Sequence, residues 1–245
     1  MTSPLVAVRE LQIPFKGDVF RVELGLPRDF TGIVFLLRDN GNVVRGNPLA
    51  FALRQSGFGT AICHLLTEAE RQRAAAHRRT PICAELLAHR LMAVVDAVGD
   101  EPDLGGTSGG IAASGLAAAA ALRVAALRPL AVDAIACRHL RITSARSIRY
   151  VRAATLFLAV AGDFTRIRPM TRAFQQLQCA KRFEIVSGDS PAFDDARSFA
   201  QACELTVTWM RKHVGRIAAA VGPAAGHSTS VRSAITRMPP EISAV

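Results

Sequence analysis

Lysine is nearly absent from this 245-residue sequence: Lys16, Lys181 and Lys212 are its only lysines, so the net charge of +10 is almost entirely guanidinium. The arginines are scattered. Their densest cluster, Arg71, Arg73, Arg78 and Arg79, has no interleaved aromatic side chains on which bases would stack, which argues against a nucleic-acid partner. The five cysteines, Cys63, Cys83, Cys137, Cys179 and Cys203, are odd in number and widely spaced in apolar segments. They read as reduced core thiols rather than a disulfide framework. No C-x-x-C pair or His/Cys cluster has metal-ligand spacing, so neither a metal nor a cofactor is implied. The chain also lacks any apolar run of the ~18 residues needed to span a bilayer, and a basic segment followed by an apolar one at its start. A cytoplasmic protein without a membrane partner is the expectation.

What is present is core material. Half of the residues are apolar, enough for one sizeable domain over 1–221. Residues 222–245, rich in Gly, Pro, Ser and Ala and without periodicity, read as a flexible tail. Alternation predicts strands over Val6 to Ile13 and Val19 to Leu26 around a Phe15 to Asp18 turn. Continuous apolar runs at Ile33 to Leu37 and Gly59 to Leu65 read as buried strands, with a helix over Pro48 to Gln55 between them. Thr67 to Arg79 reads as a charged loop, either a solvated surface or an entrance that attracts anions. Ile82, Leu86, Leu87, Leu91, Val94, Val95 and Val98 form one helical stripe. Later strands are expected at Ala131 to Cys137, Thr155 to Ala161 and Arg182 to Val186. Helices are expected at Ser144 to Val151, Pro169 to Leu177 and Asp194 to His213. Strands alternating with helices imply an α/β fold with a mostly parallel sheet, flanked by helices and opened by the antiparallel hairpin.

The stretch most suggestive of chemistry is Gly106-Thr107-Ser108-Gly109-Gly110, a G-x-S-x-G pentapeptide followed by small residues read as a helix to about Leu127. In a nucleophile elbow a serine sits on a strained turn between strand and helix, flanked by glycines where a Cβ would clash, with helix N–H groups beside it. The same pattern also arises at a helix N-cap.

Taken together, the elbow, Gly59 to Thr67 with its acidic and arginine-rich continuation, Leu156 to Val160 with Gly162-Asp163, and Phe183 to Gly188 resemble the α/β-hydrolase fold, and more closely its dienelactone hydrolase-like branch, over roughly Val6 to Val214. The resemblance implies Ser108 as nucleophile and Asp163 as the acid that orients the base, with Arg38, Asp39, Thr107 and Gly109 lining the substrate position. Three departures accompany it, one being the strand expected before the elbow, where Glu101-Pro102-Asp103-Leu104-Gly105-Gly106 has one large apolar residue and a proline and glycines that disfavour a central strand. The family's histidine falls near Pro191, in Asp189-Ser190-Pro191-Ala192-Phe193, and its His-Gly oxyanion pair is replaced by Arg38-Asp39. His139, after the strand ending at Cys137, is the best substitute base; His64, His77, His89, His213 and His227 are weaker candidates. Two functions remain open: a serine hydrolase of a small ester, lactone or thioester, and a non-catalytic pseudo-hydrolase that binds a small acyl ligand or a protein.

Overall fold

A computed structural model describes residues 6–37, 47–76, 82–107, 109–141, 147–188, 193 and 195–215. The opening hairpin is present: β1 (Val6–Phe15) and β2 (Asp18–Pro27) pair antiparallel about a turn in which Lys16 and Gly17 take φ +49° and +87°. Beyond it come β3 (Ile33–Leu37), α1 (Pro48–Gln55), β4 (Gly59–His64), α2 (Glu68–Ala75), α3 (Ala84–Gly99), β5 (Gly109–Ser114) and α4 (Gly115–Leu127). The chain continues with β6 (Ala134–Arg138), a 3-10 turn at Ile148–Tyr150, β7 (Ala154–Val160), α5 (Phe164–Gln176), β8 (Lys181–Val186) and α6 (Ala196–His213).

The sheet has eight strands in the order β1-β2-β4-β3-β5-β6-β7-β8. β2 pairs antiparallel with β4, and every pair from β4 through β8 is parallel. A parallel sheet must be covered on both faces, and two apolar layers do this. α3, α4 and α5 pack on one face over Phe35, Ile111, Ile135 and Phe157. α1 and α6 pack on the other over Leu36, Ala112, Leu156 and Val160. β3 and β7 are buried at every position.

Four elements differ from the sequence reading. The charged stretch after Thr67 is not a loop: α2 begins there with a reciprocal cap, Thr67 Oγ1 accepting the Glu70 N–H at 3.2 Å and Glu70 Oε2 accepting the Thr67 N–H at 2.9 Å. β5 was hidden in a run of glycines and alanines that reads as helix. It is a strand because Gly110 lets α6 press against it, its missing Cβ lying 2.7 Å from Met210 Sδ and 3.0 Å from Val214 Cγ2. α5 starts at Phe164 rather than at Pro169, which sits inside it. Of the helix expected over Ser144 to Val151, the described part is the 3-10 turn.

Candidate functional site

In this topology side chains that do chemistry collect at the carboxyl ends of the parallel strands. β5 lies between β3 and β6 and reaches that edge at Ser114, in register with Arg138 of β6. Ser114 is extended (φ −129°, ψ 160°), half-buried, and its side chain caps no N–H of α4. The chain then turns from strand to helix at Gly115, buried, with φ +56°. That is the left-handed backbone in which an elbow carries its nucleophile, and the residue occupying it has no side chain. Its carbonyl accepts the Arg141 N–H at 3.1 Å, tying the turn to the loop after β6.

Ser108 lies outside the described residues. Gly109, next to it in the chain, opens β5 on the amino edge, and five strand steps of ~3.3 Å separate it from Ser114 by about 17 Å. There the Gly109 carbonyl accepts the Asp133 N–H at 2.8 Å, and half-buried Thr107 donates its N–H to the Leu104 carbonyl at 3.1 Å. Thr107 and Gly109 therefore stand at the sheet edge opposite to Asp163 and His139. A strand, not a helix, begins within the pentapeptide at Gly109. Arg38 and Asp39 are also outside the described residues.

Asp163 and His139 lie at the same edge of the sheet, close enough for the charge of one to act on the other. Asp163 follows β7 at the carboxyl edge and its side chain is 6% exposed. Thr165 Oγ1 donates to its Oδ1 at 2.7 Å and Arg166 Nη1 to its Oδ2 at 2.9 Å. Burial opposes its ionisation, but these two hydrogen bonds, with the charges of Arg166 and His139, outweigh that and hold the carboxyl below its usual range. His139 directly follows β6 in the left-handed region (φ +50°), its N–H donating to the Leu158 carbonyl at 3.3 Å. Positive φ is uncommon for residues with a β-carbon, and histidine is among the types that adopt it most readily.

Arg138 adds cationic charge to the same edge. Its guanidinium stands 5.9 Å from the ring centre of Phe193 and 5.1 Å from that of Phe199. Phe193 is buried and has φ +61°, although it is not a glycine. Burial pushes the nearby Cys203 thiol up, with Arg138 pulling the other way. Residues 189–192 and 194, which include Pro191, lie outside the described residues. After them Asp195 caps α6 through the Ser198 N–H at 2.8 Å, while Gly188 leaves room for that pair, a Cβ there falling 2.7 Å from Ser198 Cβ. Sequence reasoning missed Ser114, Gly115, Arg138 and Arg166. The one signal for the first two was the second Ser-Gly step, which marks a strand end as well as the first does.

The remaining histidines are accounted for differently. His64 Nε2 is 3.1 Å from Glu23 Oε1, on the antiparallel side of the sheet. His213 lies against Trp209 at the end of α6, with ring centres 4.2 Å apart and planes tilted by 48°. His89 is exposed on α3, and His77 and His227 are outside the described residues. Among the described residues no group of three or more His, Cys, Asp or Glu side chains forms a metal site, and no helix is long and apolar enough to cross a membrane.

Compared with solved structures, this strand order finds its counterparts. A dienelactone hydrolase from Anabaena variabilis superimposes with a TM-score of 0.79 and 26% identity, covering 85% of this chain and 99% of its own. The fold is that of the α/β-hydrolases in their dienelactone hydrolase-like form. More distant α/β-hydrolases agree: a dienelactone hydrolase-like promiscuous phosphotriesterase from metagenomic libraries (TM-score 0.69, 13% identity, 86% of this chain and 99% of that one) and the esterase domain of a Rhodothermus marinus protein (0.65, 15%, 85% and 100%). No protein-family model and no curated protein matches the sequence. In this chain the strand-to-helix turn after β5 carries Gly115 at φ +56°.

Proposed function

We propose that this chain uses the α/β-hydrolase fold as a binding module for a small acyl or carboxylate-bearing ligand, without serine-hydrolase turnover. The observation that carries the reading is the glycine at the strand-to-helix turn: acyl transfer needs an attacking hydroxyl or thiol, and Gly115 supplies neither. Two further features support it. Both oxygens of Asp163 already accept hydrogen bonds from Thr165 and Arg166, which compete with any imidazole for the carboxylate. The sequence also has no histidine between His139 and His213, and loss of a general base lowers rate by roughly 10² to 10⁴. Ligand binding at the carboxyl edge is tested by thermal shift against a panel of short carboxylates. Stabilisation by one of them that is lost in Arg138→Ala supports the reading; an indifferent melting temperature across the panel counts against it.

One observation favours a second reading. His139 lies near enough to Asp163 for its charge to be felt there, as an acid and base would in a hydrolase of a small ester, lactone or thioester, with Ser114, at the same edge, as the attacking group. Release of p-nitrophenol from short-chain esters, abolished in Ser114→Ala and in His139→Ala, selects this reading over the first.

A further inference from the structure

β8 is the last strand of the sheet and bonds to β7 alone among the described residues. Its even-numbered residues face that neighbour. The Val186 carbonyl accepts the Ala161 N–H at 2.9 Å, and the Ala180 carbonyl just before the strand accepts the Thr155 N–H at 2.8 Å. Backbone groups alternate sides along a strand, so the N–H and C=O groups of Lys181, Phe183 and Ile185 point out from the sheet. No proline interrupts the strand, and its Ile185 side chain is 55% exposed. An unbroken edge of this kind is a template for pairing with another strand.

We propose that this edge pairs with β8 of a second copy of the chain, antiparallel about a two-fold axis at Phe183. Phe183 then lies opposite Phe183 of the other copy and Lys181 opposite Ile185. All three residues carry outward backbone groups, so each of these is a hydrogen-bonded pair that exchanges both N–H···O=C bonds. The even residues fall at the non-hydrogen-bonded positions, where facing side chains come closest. There Arg182 of each copy meets Glu184 of the other. In a single molecule those two side chains pair with each other along the strand. Sliding the second copy by two residues sets Arg182 against Arg182 in one direction and Glu184 against Glu184 in the other. The charges thus favour this register and oppose its neighbours. The pairing is isologous, as a closed dimer requires. A strand pair this short falls below the buried area of a permanent interface, so the dimer dissociates on dilution.

Sedimentation velocity of the full chain over a concentration series tests this. The wild type is expected to show a monomer–dimer equilibrium. Ile185→Pro is expected to leave only monomer, because the Ile185 N–H points outward and proline there removes no bond to β7; its circular dichroism melt verifies folding. Arg182→Glu is expected to weaken the dimer by roughly tenfold or more, turning two attractive cross-strand pairs repulsive, and adding Glu184→Arg is expected to restore it. A wild type that stays monomeric at every concentration overturns the proposal, as does a dimer indifferent to Ile185→Pro. So does a monomer that dimerises only once residues 216–245 are removed, since the edge is then covered by the chain's own end.

Discussion

Arg90 shows how single side chains hold this fold. Its side chain is 6% exposed, and its guanidinium donates to both Glu70 oxygens at 2.7 and 3.0 Å and to the Leu65 carbonyl at 2.9 Å, above the Phe20 ring. Removing one partner of such a pair strands a buried charge. Glu70→Ala is therefore expected to destabilise the protein by about 3 kcal/mol, measured by urea denaturation at pH 7. Gly115 is constrained for another reason: an L side chain at φ +56° meets the following carbonyl. Gly115→Ala is expected to cost about 1 to 2 kcal/mol in the same measurement, whereas Ser114→Ala, in ordinary extended backbone, is expected to cost little.

Among the elements, β5 decides where the site is. Its Gly110 admits α6, so Gly110→Ala is expected to push Met210 and Val214 off the sheet and lower stability by about 1 to 3 kcal/mol through overpacking. Its length separates the G-x-S-x-G stretch from the carboxyl edge. That separation was not legible, because Gly109 to Ala113 carry a single large apolar side chain, Ile111, where a buried strand ordinarily carries a run of them. Where strands are built from such residues, as in Ile33 to Leu37 or Thr155 to Val160, sequence pattern and structure agree. The hairpin, α3 and α6 were legible too, because alternation or a helical stripe is strong in each. α2 was missed although its Thr67-x-x-Glu70 cap stood in the sequence, since its exposed arginines carry no apolar stripe. Asp163 and His139 were placed on the right edge because each follows a strong strand. The strand-to-helix glycine was not found, since only the true end of β5 reveals it.

For the whole molecule, the carboxylates set its response to acid. Glu70 and Asp163 are both held below the usual carboxylate range. Burial opposes ionisation at each, but hydrogen bonds and charge from Arg90 and Thr67 at Glu70, and from Thr165, Arg166 and His139 at Asp163, prevail. A depressed folded value contributes stability that is full above the unfolded value of about 4 and disappears as pH falls through the lowered folded one. The melting temperature is expected to drop steeply below about pH 4, and less steeply in Glu70→Gln. The central proposal is that the α/β-hydrolase frame, whose eight strands are in order among the described residues, carries glycine at its elbow position. Fluorophosphonate labelling of the folded, purified wild type, with Ser108→Ala, Ser114→Ala and His139→Ala beside it, tests this most directly. The account predicts no labelled band in any of them. A wild-type band that disappears in one of the serine variants would contradict it and show an activated nucleophile.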